Sequence, residues 1–229
     1  MFGLIVIAVT GCSGRQQTGN GSLDVSRPAT ATSVAAVAAT GERSPRFVSA
    51  HWDFSIDHPP GWQVRRGFRG GYPASDAWKT YAAPDSQGTP VVALAAPGSD
   101  NVTAAEIRIG ASRSPEELRQ CAKPPSSVRT GSVVEATIDG IRFTRFAAGD
   151  AAMSHYLDVH SYRTVHDGTC YAIDLVVFGT NPDAYSPPAT PPFTREQAFD
   201  RMQQVLRGFR FTRVAPERQP AASDSTTAR

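Results

Sequence analysis

The residues whose types could do chemistry are five histidines, three cysteines and one aspartate set inside an apolar run. A hydrolase needs a nucleophile held against a base, and the base is normally steered by a third group. The candidate bases are His51, His58, His155, His160 and His166, and no Gly-x-Ser-x-Gly elbow lies in the body of the chain to supply a nucleophile. His155 and His160 are five residues apart, so on a strand they point to opposite faces and do not share a metal. Asp174 interrupts the apolar stretch Cys170 to Phe178, and Arg163 becomes its diagonal cross-strand neighbour if Asp167-Gly168 closes a hairpin. Such a pair, if buried, holds strand register. The competing reading of Asp174 is a general base. No catalytic set, cofactor site or metal site is expected from these spacings.

One stretch suits recognition better than catalysis. Arg65, Arg66 and Arg69 alternate with Phe68 and Tyr72 in the run Arg65-Arg66-Gly67-Phe68-Arg69-Gly70-Gly71-Tyr72. Guanidinium groups interleaved with aromatic rings fit an anionic lipid surface or an acidic patch on a partner protein. The alternative is a solvated hairpin loop with its rings folded inward. A second candidate surface is the proline-rich stretch from Asn181 to Pro192 around Tyr185. Nucleic acid is not an expected partner. The chain carries a formal charge of only +2, and between Phe47 and Arg213 there are 17 acidic and 17 basic residues, so no basic face is available.

The first residues explain where such a surface would work. Phe2, Leu4, Ile5, Val6, Ile7, Ala8 and Val9 form a short apolar core ending Val9-Thr10-Gly11-Cys12. Eleven residues at about 1.5 Å each reach about half of a hydrocarbon core of about 30 Å, which argues against a membrane-spanning helix. The pattern is that of a signal peptide. Its ending resembles the lipobox of bacterial lipoproteins. The resemblance implies cleavage after residue 11, diacylglycerol on Cys12 and acylation of the new amino terminus, a multi-chain anchor that holds firmly. Ser13, in place of Asp, implies delivery to the outer membrane, facing the periplasm, in a Gram-negative cell. No Lys or Arg precedes the apolar run. With Cys12 assigned to lipid, Cys121 and Cys170 remain as an even pair in an oxidising compartment, and a disulfide is expected between them.

Those groups need elements to position them. Residues 12–46 contain no aromatic side chain and read as a flexible tether with a reach of about 30 Å. Residues 47–213 form a single domain, and 214–229 a polar tail. Strands are expected at Phe47 to Ser49, at Trp52 to Ile56, at Trp62 to Val64 with Trp62 and Val64 inward, at Gly88 to Ala96 and at Ala105 to Ala111. Ser114-Pro115-Glu116-Glu117 predicts a short capped helix carrying Leu118 and Cys121 on one face. An antiparallel meander follows from Val133 to Phe178, with hairpins at Asp139-Gly140 and Asp167-Gly168 and a turn between them at Gly149-Asp150. That places Val165 opposite Cys170, Arg163 opposite Ala172 and Ser161 opposite Asp174. The apolar run Cys170 to Phe178 predicts a central strand covered on both faces. A second helix is expected from Thr194, with Gln197 completing its capping box and Gly208 ending it, before an edge strand at Phe209-Arg210-Phe211.

The segment Phe54-Ser55-Ile56-x-x-Pro59-x-Gly61-Trp62-x-Val64, the meander, and the ending Gly208-Phe209-Arg210-Phe211 together resemble the PsbP-like superfamily. Its members include the photosystem accessory protein, Ran-binding Mog proteins, DcrB-type bacterial lipoproteins and secretion-effector chaperones. The resemblance implies an α+β fold, an antiparallel sheet flanked by helices, used for binding; no shared active-site residue carries over. The expected role is a lipid-anchored, monomeric, non-catalytic accessory or adaptor with an envelope protein as partner. The alternatives are a carrier for a small apolar ligand, with a large cavity between sheet and helix, and an envelope enzyme, with a deep polar cleft.

Overall fold

The computed structural model describes residues 44–69 and 74–212. The leader, Cys12, the tether to residue 43, Tyr72 and the tail lie outside the described residues. Within them the protein is mostly antiparallel β-sheet with two α-helices.

The chain builds two sheets. A small one has the order β1-β2-β10, from Arg46–Ser49, Phe54–Asp57 and Phe209–Phe211. The large one has the order β3-β4-β5-β9-β8-β7-β6. Its strands are β3 (Gln63–Arg66), β4 (Thr89–Ala95), β5 (Thr103–Ser112), β6 (Val134–Ile138), β7 (Ile141–Ala152), β8 (His155–His166) and β9 (Thr169–Thr180). The closing run Phe209–Phe211 is an edge strand, as expected, but of the small sheet.

Both Asp-Gly hairpins form. Ile138 pairs with Ile141 across Asp139-Gly140, and His166 with Thr169 across Asp167-Gly168. All four turn residues have positive φ, between 44° and 75°, the backbone of a type I′ turn. The register on β9 is the expected one: Val165 opposite Cys170, Arg163 opposite Ala172, Ser161 opposite Asp174. The expected turn at Gly149-Asp150 does not exist. Gly149 lies inside β7 opposite Asp158, and the chain reverses at Met153-Ser154, with φ of 51° and 66°. Space at Gly149 is tight: a Cβ there would sit 2.8 Å from Arg129 Nη2, the end of a flexible side chain, and 3.1 Å from Asp158 Oδ1.

Helix α2 (Arg195–Leu206) begins with the expected capping box, in which the Gln197 amide donates to Thr194 Oγ1 and the Thr194 amide donates to Gln197 Oε1. It buries Ala198, Phe199, Met202, Val205 and Leu206 against the large sheet and the aromatic residues Phe54 and Phe209 of the small one. Helix α1 (Pro115–Gln120) starts differently: Ser114 makes no side-chain cap, and Glu117 turns inward instead of back to its own amino terminus. Val64, expected inside, is half-exposed on β3, while Trp62 packs on the core. The face of the large sheet away from α2 is covered by α1 and the irregular chain around Trp78, with Leu118, Cys121, Cys170 and Ala172 packed together.

Candidate functional site

The face of the large sheet away from α2 carries buried charge. Glu106 and Arg108 on β5, Asp174 on β9, and Ser161 and Arg163 on β8 are all nearly inaccessible to solvent. Pairing register brings them together, because Arg108 and Ser161 stand opposite Asp174 on its two neighbouring strands. Desolvated charges of this kind persist only when paired and hydrogen-bonded. Asp174 has both. Its Oδ1 accepts from Arg163 Nη1 at 2.7 Å and from Ser161 Oγ at 2.6 Å. Its Oδ2 accepts from Arg163 Nη2 at 3.2 Å, and from the backbone amide and hydroxyl of Thr80 at 2.8 and 2.9 Å. Burial alone would raise the Asp174 pKa; the Arg163 charge and these donors more than offset it and hold it below the ordinary carboxylate value.

A second carboxylate is treated the same way. Glu106 accepts from Arg108 Nε and from Arg65 Nη2, each at 2.5 Å, and Arg108 continues to the carbonyl oxygens of Ser75 and Arg69. The two networks thereby tie the irregular chain around 69–80 to the sheet through side chains.

Above this floor lies a cavity of about 640 Å³, open to solvent. Its walls are the segment from Lys79 to Gln87 on one side and α1 with Cys121 to Ser126 on the other; Phe146 and Arg163 form its floor. Along one wall Trp78 Nε1 donates to Ser86 Oγ at 2.8 Å, Ser86 Oγ donates to Glu117 Oε1 at 2.6 Å, and Lys79 pairs with the same carboxylate. Glu117 is partly buried, which would raise its pKa, yet the Lys79 and Ser86 contacts leave it lowered. Both buried carboxylates at this cleft are thus ionised with their lone pairs occupied by fixed donors, which makes them poor proton acceptors.

The residues singled out from sequence divide clearly. The Arg163–Asp174 pair is present and buried. Cys121 and Cys170 form a disulfide with Cα atoms 5.7 Å apart, joining the end of α1 to the central strand β9. The arginine loop is not one surface. Arg65 is committed to Glu106, Arg66 lies over the Phe47 ring at 5.7 Å, and Phe68 sits beneath the Arg108 guanidinium at 5.3 Å. Of the loop's described residues, Arg66 and Arg69 are exposed cations, and Tyr72 lies outside them. Among the histidines, His160 stacks on Phe199 with ring centres 3.9 Å apart, and burial, reinforced by the Arg145 charge, pushes its pKa down to about 4. Glu106, Arg108, Thr80 and the inward Glu117 were not singled out. The signal for two of them was visible: Ala105-Glu106-Ile107-Arg108-Ile109 alternates like a half-exposed strand, but its charged side shares a face with Asp174.

No protein-family model matches this chain, and no curated protein matches it. Among solved structures that resemble its fold at a distance are two from bacteria. A crystal structure from Bacteroides thetaiotaomicron VPI-5482 is 14% identical with a TM-score of 0.42, and the match covers 78% of this chain and 52% of that one. LpqN, described as involved in cell envelope biogenesis of Mycobacterium tuberculosis, is 10% identical with a TM-score of 0.36, covering 76% of this chain and 88% of that one. The chain therefore spans about half the length of the Bacteroides protein. Likeness at these scores carries no functional information.

Proposed function

We propose that this protein is an exported accessory protein of the bacterial envelope, anchored by lipid on Cys12, whose α+β domain of PsbP-like type binds a partner and performs no catalysis. The observation that carries the reading is the Cys121–Cys170 disulfide. Disulfides persist in oxidising compartments, and this one stands in the same chain as an apolar leader ending Val9-Thr10-Gly11-Cys12. Among the described residues no helix is long and apolar enough to cross a membrane, so lipid on Cys12 would supply the attachment. The binding role is supported by the chemistry of the cleft. Asp174 and Glu117 are saturated by donors, His160 is held neutral beneath α2, and Ser86 already donates its proton to a carboxylate whose pKa is lowered. A carrier for an apolar ligand needs space between sheet and helix; Met202, Phe199 and Leu206 fill that space here.

The test is made in a bacterial host. Cells expressing the full chain are fed an alkyne-bearing fatty acid, fractionated, and compared with cells making the Cys12→Ser variant. Label on the wild-type chain alone, with that chain in the membrane fraction and the variant released, is the expected result. Unlabelled wild-type chain in the soluble fraction would remove the anchor from the proposal.

A further inference from the structure

β6 ends the large sheet, and among the described residues β7 is its single strand partner. Edge strands are normally blunted by charge, proline, bulges or a covering loop. The opposite edge, β3, follows that rule with two arginines in four residues. β6 does not: its sequence is Val134-Glu135-Ala136-Thr137-Ile138, with one charge, no proline and no bulge. Val133 and Val134 at its start are 48 and 46% exposed, and Val165, two strands away on β8, lines the same groove at 48% exposure. An open groove flanks the strand on each face, one of about 580 Å³ lined by Val133 and Val165 and one of about 360 Å³ lined by Ile138 and Leu206.

The hairpin fixes which backbone groups are free. Because Asp139-Gly140 is a two-residue type I′ turn, Ile138 and Ile141 form the hydrogen-bonded closing pair. Ile138, Ala136 and Val134 therefore aim their N–H and C=O groups at β7, and Thr137, Glu135 and Val133 aim theirs outward. An incoming antiparallel strand must bond to those three. We propose that the strand is β6 of a second copy of this chain, related by a twofold axis that sets Ala136 opposite Ala136. In that register Glu135 faces the Thr137 hydroxyl of the other copy and Val134 faces Ile138, covering the exposed valine. Of the symmetric registers it is the one that overlaps the whole of β6, Val134 to Ile138, and its neighbours set Glu135 against Glu135 or Glu135 against Asp139, like charges directly opposed. Overlap and charge together select this register, and an isologous pairing of this kind closes on itself as a dimer. The inference replaces the expected monomer and does not depend on the lipid anchor.

Cysteine scanning reads the register directly. In a non-hydrogen-bonded antiparallel pair the Cβ atoms lie about 4.5–5.5 Å apart, within reach of a short thiol crosslinker, while positions offset by two residues exceed the roughly 7 Å Cα limit for a direct disulfide. Full-length chains carrying Ala136→Cys, Glu135→Cys or Thr137→Cys are expressed in cells, and whichever fraction holds the chain is treated with mild oxidant. The wild-type chain with its own cysteines sets the background. The expected result is a species of twice the monomer mass from A136C, background levels from E135C and T137C alone, and recovery of the dimer when E135C and T137C are coexpressed. Adding Val134→Glu to A136C, a change at a half-exposed site that leaves the fold intact, should return crosslinking to background. Equal crosslinking at all three positions, no A136C dimer, or A136C trapped on a different polypeptide would each overturn the self-pairing.

Discussion

Replacing Asp174 by Asn separates the structural and catalytic readings of the polar face. The side chain keeps its shape and loses its charge. One of its two ends becomes an amide that must face either the Oδ1 donors, Arg163 Nη1 and Ser161 Oγ, or the Oδ2 donors, Arg163 Nη2 and the amide of Thr80. In either orientation at least one N–H is set against another, and the Arg163 guanidinium stays buried at 3% exposure without its counter-charge. Breaking a buried pair from one side costs about 3–5 kcal/mol, against a total stability of about 5–15 kcal/mol for an ordinary domain. Guanidinium unfolding of the oxidised protein measures the loss as a shift in midpoint at constant slope. Acid titration gives a second signature. The folded pKa of Asp174 lies below its unfolded value, so its contribution is fully present above about pH 4 and disappears as pH falls through the folded pKa. The wild type should lose stability in that acid range, and the variant should lose less. The double variant Asp174→Leu, Arg163→Met, with no charge left to strand, should recover most of the difference. A D174N midpoint within about 1 kcal/mol of wild type, or a double variant worse than the single, would refute this account.

Other elements carry their own expectations. Reducing the Cys121–Cys170 bridge, which closes a separation of 49 residues, should lower stability by about 4 kcal/mol in the chain-entropy model, measured as the difference between oxidised and reduced unfolding curves. Thr194→Ala should cost about 1 kcal/mol by removing a working cap from α2, whereas Ser114→Ala should stay within about 0.5 kcal/mol because Ser114 makes no side-chain cap; equal losses would count against the difference in geometry. His160, with its pKa pushed to about 4 by burial, binds its proton more readily unfolded, so stability should fall as pH drops from about 6.5 toward 4, and His160→Phe should flatten that slope in thermal scans. Gly110→Ala would place a Cβ 1.8 Å from the Trp78 carbonyl oxygen, a backbone atom that cannot swing aside, so the variant should be far less stable than wild type or fail to accumulate folded.

The parts legible in sequence were those written in local chemistry. Asp-Gly at two turns fixed the hairpins and, through them, the pairing of Ser161 with Asp174 and Arg163 with Ala172. The Thr194–Gln197 box announced α2. Local chemistry also misled where tertiary demands won. Gly149-Asp150 reads as a turn, but the long β7–β8 ladder runs through both residues, pairing Gly149 with Asp158 and Asp150 with Leu157. The reversal falls at Met153-Ser154, both at positive φ without a glycine or asparagine to announce it. Ser114-x-x-Glu117 reads as a capping box, but Glu117 finds a stronger partner in Lys79, 38 residues away. The arginine-rich run reads as one contact surface, but Arg65 lies close to Glu106, 41 residues on, and a window of eight residues holds no trace of that pairing. The division into two sheets was hidden for the same reason, since β10 reaches β2 across 153 positions, from Ile56 to Phe209.

Long-range charge pairing also fixes one wall of the cleft. Among its described residues, the chain between β3 and β4 contributes no strand to either sheet. Besides the backbone bond from Gly67 to the Val91 carbonyl, side-chain bonds tie it to the sheet and to α1: Thr80 to Asp174, the Ser75 and Arg69 carbonyls to Arg108, and Lys79 and Ser86 to Glu117. The segment touches the sheet at Trp78, whose carbonyl lies against Gly110, and the cavity of about 640 Å³ lies between its Lys79 to Gln87 stretch and α1. The wall should open when Asp174 loses its charge, exposing the segment to protease before the sheet unfolds. The β6 edge lies on the far side of β8 and β7 and depends on none of these bonds. A partner that binds the cleft should therefore be lost in D174N while A136C crosslinking survives, and a partner that binds the edge should show the reverse dependence on Val134→Glu.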